Sequence, residues 1–315
     1  MMEIEILGTE SLGVRGLCCV VKTRERKIII DPGVALGYRR HGQLPHPVQV
    51  AASERTRRLI EKALEGATDV VISHYHGDHH PLVNANPYQL SAERVAELCV
   101  HPRLWARGTK GLSLNQAYRA RALASKLGRM LPVAEGMSDG LLSFSFPVPH
   151  GEQNGRGGSV MMTRVEEDGE VFVHASDIQM LNDEAIDEIL AWHPNIVLAS
   201  GPPIYLPSLI SKQLESAFDR TLQLAEKVDV LILDHHLLRS KEGERWLDRL
   251  SSLADHKVVC AADFMKRPRN LLEAERALWY KKLPVPKGWH EAYARGEIDV
   301  ISEWGDKVRP DKGRL

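Results

Sequence analysis

Cysteine is scarce in this 315-residue chain, and its four cysteines, Cys18, Cys19, Cys99 and Cys260, form neither a CxxC pair nor a zinc-finger spacing. This pattern favours reduced structural thiols over a redox role. The chain also lacks any run approaching the ~20 apolar residues that span a bilayer, and its first residues show no basic segment followed by an apolar one. We therefore expect a cytoplasmic protein without a membrane span.

A strong net charge is lacking as well, since 41 Lys and Arg residues balance 42 Asp and Glu residues. No overall electrostatic field favours nucleic acid or a membrane surface as a partner. A composition with 43% hydrophobic and 26% charged residues is that of an ordinary globular protein. No linker or internal repeat divides the chain. We expect one domain over residues 1–304 and a loosely held polar tail over 305–315, and the sequence does not indicate an oligomeric state.

The first third of the chain alternates short β-rich runs with turn signals, which predicts an antiparallel meander over residues 3–7, 17–23 and 27–30. Apolar residues at helical spacing behind Ser53 predict a helix over residues 53–65 with Ser53 as its N-cap. The apolar run that follows predicts a buried strand over residues 69–73.

The remaining pattern is a basic helical stretch over residues 101–129, further strands, and then an alternation of strands and helices. The strands are predicted at 141–148, 159–165, 170–174, 195–199, 229–233 and 257–261, and the helices near 182–192, 207–227, 242–255 and 270–282. The sequence therefore predicts an α/β fold with two mixed β-sheets and helices outside them.

Residues 74–80 read His-Tyr-His-Gly-Asp-His-His and directly follow the strand at 69–73. Imidazole nitrogen and carboxylate oxygen suit zinc and other borderline divalent metals. A tight turn after a strand can direct His74 and His76 towards one ion while Asp78 and His79 reach a neighbouring one. The alternative is a solvated histidine-rich loop.

The pattern His74-x-His76-x-Asp78-His79 resembles the signature of the metallo-β-lactamase superfamily. Four further motifs of that superfamily occur in the expected order: Asp31 after a strand, His150 in Val-Pro-His-Gly, Asp177 in Phe-Val-His-Ala-Ser-Asp, and His235 in Leu-Asp-His-His. The last three phrases resemble an archaeal-type branch of predicted metal-dependent hydrolases. The resemblance covers about residues 1–262 and implies a four-layer αββα sandwich.

The resemblance also implies a ligand set for two divalent metal ions. His74, His76 and His150 would hold one ion, Asp78, His79 and His235 the other, and Asp177 would bridge them. Asp31 would orient a ligand through a hydrogen bond. His235 matches the position of the superfamily's last histidine better than His236, which would then support the site from outside the ligand set; the alternative is that His236 is the last ligand. Adjacent residues that leave a strand end tend to point apart, so we expect these two rings to face different directions. His80 and His174 are expected to be structural. Zn²⁺ is the expected metal, and Mn²⁺ and Fe²⁺ also suit these donors.

Such a centre hydrolyses its substrate with a bridging hydroxide, which implies catalytic roles for Asp78 and Asp177. The substrate stays open among phosphate esters or other anionic molecules, lactones, thioesters and RNA. An iron redox enzyme would need a flavin or rubredoxin module, of which the sequence shows no sign. A scaffold without catalysis is disfavoured because every ligand position is filled.

One local feature favours an anionic substrate, either a small molecule or a phosphodiester. Residues 101–129 contain seven basic side chains and no acidic one. We expect Lys110, Arg119 and Arg121 to line the cleft and bind phosphate. The alternative is a solvated helix face whose basic residues pair with acidic residues elsewhere.

Overall fold

A computed structural model describes residues 2–152 and 157–307. The first of its sheets contains five strands in chain order: β1 (Glu3–Gly8), β2 (Cys18–Lys22), β3 (Lys27–Ile30), β4 (Asp69–Ile72) and β5 (Arg103–Ala106). The strands β1, β2 and β3 pair antiparallel, as the predicted meander requires, whereas β3, β4 and β5 run parallel. The carboxyl ends of β3 and β4 therefore lie side by side.

The later strands are β6 (Leu142–Phe144), β7 (Val148–Pro149), β8 (Ser159–Val160), β9 (Thr163–Glu167), β10 (Glu170–Ser176), β11 (Ile196–Ser200), β12 (Val230–Asp234) and β13 (Val258–Val259). Six of them form the second sheet in the order β13-β12-β11-β10-β9-β6, and β7 pairs with β8. The strands β10 to β13 are parallel, so β10 and β12 end on the same side of the sheet. Asp168 and Gly169 join β9 to β10, and both residues have positive φ, which suits a tight hairpin turn.

Ten α-helices are found in the part of the chain that the structure describes: α1 (Pro47–Leu64), α2 (Ala92–Val95), α3 (Leu114–Leu127), α4 (Asp183–Ala191), α5 (Ser211–Lys227), α6 (Lys241–Leu253), α7 (Ala261–Phe264), α8 (Arg276–Lys282), α9 (Trp289–Ala294) and α10 (Val300–Trp304). Within these described residues, no helix is both long and apolar enough to cross a membrane.

The packing forms four layers because each sheet buries both of its faces. In β3, Ile28 and Ile30 pack between the sheets against Phe172 of β10, while Ile29 points the other way and packs under α1. On the far side of the second sheet, Val173 of β10 packs in a cluster with residues of α4, α5 and α6. Alternating strand residues thus serve two different cores. The predicted αββα sandwich is confirmed.

Two elements differ from the prediction near the site. The helix α1 begins at Pro47 and not at 53, because the His46 ring accepts the amide of Val48 and Gln49 reciprocates on the His46 backbone, so that Ser53 is interior. The predicted helix over 101–129 is wrong in its first part. Residues 103–106 are the edge strand β5, paired with β4, and α3 starts only behind the Ser113 cap.

The C-terminal part contains more helix than the one predicted over 270–282. The helices α8, α9 and α10 follow one another, and the buried rings of Trp289 and Trp304 pack in the same core as α1. Residues 305–307 form a short 3₁₀ turn in which Gly305 accepts a hydrogen bond from Arg55. The rest of the expected polar tail lies outside the described residues.

Candidate metal centre

The predicted ligands meet at the carboxyl ends of strands in both sheets. The His74–His79 turn follows β4, Asp177 follows β10, and His235 follows β12. Residues Asp31, Ser176 and His235 have positive φ values of 51°, 55° and 52°. This conformation turns the chain sharply at the end of β3, β10 and β12, and it directs the following side chains into the cleft between the sheets.

Donor atoms of His74, His76, His150 and Asp177 all lie within 4.8 Å of one another. Asp177 Oδ2 is 3.0 Å from His150 Nε2 and 3.7 Å from His74 Nε2. The structure therefore brings together the four residues expected at the first metal position.

The second expected position is equally compact, since donor atoms of Asp78, His79 and His235 also lie within 4.8 Å of one another. His235 Nε2 lies 3.2 Å from His79 Nε2 and 3.6 Å from Asp78 Oδ2. Asp177 Oδ2 is 3.3 Å from His79 Nε2 and 3.4 Å from His235 Nε2. The same carboxylate oxygen therefore lies close to ligands of both metal positions, which are the two halves of the centre.

These spacings fit a tetrahedral metal, because ligands held about 2.0–2.1 Å from zinc are separated from one another by roughly 3.3 Å. Two of the donor atoms, His74 Nε2 and Asp177 Oδ1, are buried and have no hydrogen-bond partner. Buried polar atoms normally have one, so such atoms within a ring of imidazoles indicate ligands for a cation. The donor set is chemically suited to zinc.

Buried carboxylates orient the ligand rings from outside. Asp31 Oδ2 lies 2.9 Å from His79 Nδ1 and also accepts the hydroxyl of Ser73, whose oxygen is 2.9 Å from His74 Nδ1. Glu10 Oε2 is 2.7 Å from His235 Nδ1. With Nδ1 directed to a carboxylate or a hydroxyl, each ring presents Nε2 to the cleft, which is how such partners position metal ligands.

The Asp31 loop and the histidine turn touch through Gly33. A Cβ atom at Gly33 would lie 2.2 Å from the backbone nitrogen of His80 and 2.4 Å from the carbonyl carbon of His79. Only glycine permits this approach, so the contact between Asp31 and His79 depends on a residue without a side chain.

The electrostatics of the two halves differ. Burial, together with the neighbouring His79 and His76 rings, holds the pKa of His74 well below its usual range, and burial lowers the pKa of His76 to about 3. Burial also acts on His79 and His235, but carboxylates outweigh it and raise the pKa of His235 to about 9. His74 and His76 therefore offer neutral imidazoles at neutral pH, whereas a metal held by His79 and His235 must displace protons.

The expectation that His235 and His236 point apart is wrong. His236 Nε2 is 3.1 Å from Asp177 Oδ2, so both rings face this carboxylate. The reason is the left-handed conformation of His235, which ends the strand alternation before its neighbour. His235 keeps the contacts to His79 and Asp78, and His236 joins a third group with His235 and Asp177.

Four polar residues at the site carried no signal in the sequence: Glu10, Gln116, Gln179 and Arg239. Gln116 Nε2 lies 2.9 Å from His76 Nε2, and Gln179 Nε2 lies 3.4 Å from His150 Nδ1. Arg239 is buried, and its Nη2 lies 3.0 Å from His235 Nε2. None belongs to a histidine motif, and only the fold brings them to the metal ligands.

The basic residues of 101–129 do not form one surface. Arg103, Arg107 and Lys126 pair with acidic side chains elsewhere, as the alternative interpretation states. Arg119 donates to the backbone oxygen of Tyr75 within the histidine turn and lines a surface cavity of about 200 Å³. Lys110 and Arg121 are exposed.

His80 and His174 are both buried and hydrogen-bonded to backbone oxygens. His80 Nδ1 lies 2.8 Å from the oxygen of Pro81, and His174 Nε2 lies 2.9 Å from the oxygen of Leu17. Neither belongs to a candidate metal group among residues 2–152 and 157–307, in line with their expected structural role.

Known proteins resemble this chain over nearly its whole length, although no protein-family model matches it. A UPF0282 protein of Methanosarcina mazei is 52% identical over 299 residues, which cover 95% of this chain and 98% of that relative. A UPF0282 protein of Thermococcus gammatolerans is 33% identical over 297 residues, covering 89% of this chain and 96% of the relative.

A solved structure described as a metal-dependent hydrolase of the β-lactamase superfamily superposes with a TM-score of 0.50. The alignment covers 82% of this chain and 95% of that one, and the sequences are 13% identical. At this identity the likeness establishes the fold. The chain belongs to the UPF0282 family, an archaeal branch with the metallo-β-lactamase fold.

Proposed function

We propose that this protein is a dinuclear metal-dependent hydrolase that cleaves a phosphate ester or another anionic ester. The supporting observation is the convergence of His74, His76 and His150 on one side of Asp177 Oδ2, and of Asp78, His79 and His235 on the other. Two divalent ions held there would lower the pKa of a water molecule and polarise the bond under attack. Zinc fits the nitrogen-rich donor set best.

The chain's own groups perform the remaining tasks. Glu10 and Asp31 hold the His235 and His79 rings in place through Nδ1. Asp177 lies between the two halves, where its carboxylate would take up a proton during attack and pass it to the leaving group. Asp78 contributes a carboxylate whose pKa is lowered, against its burial, by His79, His235 and Arg239.

Metal analysis and a simple hydrolysis assay test this proposal together. Protein purified without added metal should contain about two zinc, manganese or iron ions per chain and should hydrolyse bis-p-nitrophenyl phosphate. His76→Ala should lose both metal and hydrolysis, because the remaining ligands cannot restore the geometry. His101→Ala removes an exposed histidine and is the matched control. Wild-type protein that binds no metal would instead be a scaffold.

A further inference from the structure

Two buried side-chain donors lie against nitrogen atoms of the proposed ligands, one in each half of the centre. Gln116 Nε2 is 2.9 Å from His76 Nε2, and Arg239 Nη2 is 3.0 Å from His235 Nε2. Both side chains belong to residues outside the ligand set. They approach the centre from different elements, α3 and the turn after β12.

Each donor is anchored on the side that faces away from the centre. Gln116 Nε2 also donates to the backbone oxygen of Gly157 at 3.1 Å, which leaves its second N–H for His76. Arg239 Nε donates to Glu10 at 2.6 Å, and its Nη1 donates to the Tyr205 hydroxyl at 3.3 Å. Only Arg239 Nη2 is directed at the centre.

These contacts cannot coexist with metal binding. An imidazole Nε2 has one in-plane lone pair, and a histidine ligand gives that lone pair to the metal. His76 acting as a ligand therefore no longer accepts from Gln116, and a metal on His235 Nε2 takes the position that Arg239 Nη2 faces. A buried N–H without an acceptor is costly, and most costly for a charged group. Gln116 then requires a new acceptor at the centre, and Arg239 Nη2 keeps only its 3.4 Å contact with Asp78 Oδ2, which is itself a proposed ligand.

The charge around Arg239 favours an anion as this acceptor. Arg15, Arg40 and Arg276 pair with Glu273, and Arg239 pairs with Glu10. Four guanidinium groups thus face these two carboxylates, while Asp78, a further carboxylate near Arg239, belongs to the proposed metal site. Positive charge in a poorly hydrated cleft attracts negatively charged oxygen strongly.

Building on the proposed function, we propose that Arg239 and Gln116 bind the phosphoryl oxygens of the substrate, one residue at each half of the centre. A phosphoryl group has oxygens in tetrahedral directions, which supplies one acceptor for each donor and a further oxygen for the space between the two halves. A carboxylate has only two oxygens. The pair therefore selects a phosphate ester over a carboxylic ester.

The test is calorimetric binding of inorganic phosphate, and of acetate in parallel, to zinc-saturated protein whose zinc content is measured. Wild type should bind phosphate more tightly than acetate. Gln116→Leu and Arg239→Gln should each weaken phosphate binding by roughly tenfold or more at unchanged zinc content. If Arg239→Gln folds poorly, Gln116→Leu still tests whether the pair binds phosphate, because Gln116 is not part of the buried ion-pair cluster.

Two matched variants should bind phosphate as wild type does. Gln223→Leu changes an exposed glutamine of α5 that the site does not use. Arg245→Gln removes an exposed guanidinium of α6.

The outcomes separate this inference from the proposed function. Wild type that binds no zinc overturns both. Zinc-containing wild type that cleaves the diester, but whose Gln116→Leu variant binds phosphate within twofold of it, overturns only the inference. Tighter binding of acetate than of phosphate overturns the phosphoryl preference.

Discussion

Nδ1 of His235 donates to the carboxylate of Glu10 at 2.7 Å, across 225 residues of sequence. The same carboxylate accepts Nε of Arg239 at 2.6 Å, so it fixes both a proposed ligand and a proposed substrate-binding group. Glu10 thereby links the first sheet's β1–β2 loop to the end of β12.

Replacing Glu10 by Gln keeps the shape of the side chain and removes its charge. We expect zinc affinity to fall by roughly 10–100-fold, as for other hydrogen-bond partners of metal-bound histidines, with only minor loss of stability. Competition with a chromophoric chelator measures the affinity. Glu3→Gln, on the exposed face of β1, should bind zinc as wild type does. Equal affinities in the two variants would show that Glu10 does not support the site.

His235→Ala and His236→Ala should differ in metal stoichiometry. His235 lies close to His79, Asp78 and Asp177, whereas His236 Nε2 lies 3.1 Å from Asp177 Oδ2. We expect the first variant to keep about one zinc ion per chain and the second to keep two. Elemental analysis after gel filtration measures this. The opposite order would make His236 the last ligand.

Gly33→Ala should disrupt the centre without touching a ligand. The new methyl group would overlap backbone atoms of His79 and His80, which cannot move aside as a side chain can. Overpacking costs about 1–3 kcal/mol, and we expect the upper end together with loss of zinc binding. Thermal unfolding and metal content measure both effects. Gly305→Ala should be nearly neutral, because its nearest neighbour is the flexible end of Arg55. A stable, zinc-binding Gly33→Ala would refute the close-approach argument.

Asp69, at the start of β4, gives a pH-dependent contribution to stability away from the site. Its buried carboxylate accepts from Arg26 and from Trp105 Nε1, and these bonds outweigh burial and lower its pKa. A carboxyl whose pKa is lowered on folding stabilises the protein above its unfolded pKa of about 3.9, and this stabilisation disappears as the pH falls through the lower folded value.

Asp69→Asn should therefore lower the free energy of unfolding by roughly 1.5–3 kcal/mol at pH 7, and the difference should shrink below about pH 4. Urea unfolding at several pH values measures it. Asp187→Asn, on the exposed side of α4, is the matched control. A difference that does not vary with pH would mean that the charge of Asp69 is not what stabilises the fold.

The sequence allowed prediction of those parts of the site that are local in the chain. Four proposed ligands lie within six residues behind a strand, so the His74–His79 turn could be recognised directly. Gln116 and Arg239 could not, because their contacts depend on how α3 and the end of β12 pack against the turn. The relation of His235 to His236 was mispredicted because a positive φ at His235 has no signature in the residue type.

The secondary structure shows the same division between local features, which could be predicted, and features that depend on distant contacts, which could not. The strand at 27–30 was predicted to the residue, since its apolar run is bounded by turns. The sequence of β5 predicts helix, because an edge strand with Arg103 and Trp105 lacks a clear alternation of polar and apolar residues. Only its pairing with β4 makes it extended. The start of α1 depends on an unusual cap, the His46 imidazole.

The proposed centre holds two metal ions that share the carboxylate of Asp177. Anomalous X-ray scattering at the zinc edge, from crystals of zinc-saturated protein, tests this most directly. We predict two peaks about 3.5–4 Å apart, one among His74, His76 and His150 and the other among Asp78, His79 and His235, with Asp177 between them. A single peak, or two peaks of which one lies away from Asp177, would contradict the dinuclear centre.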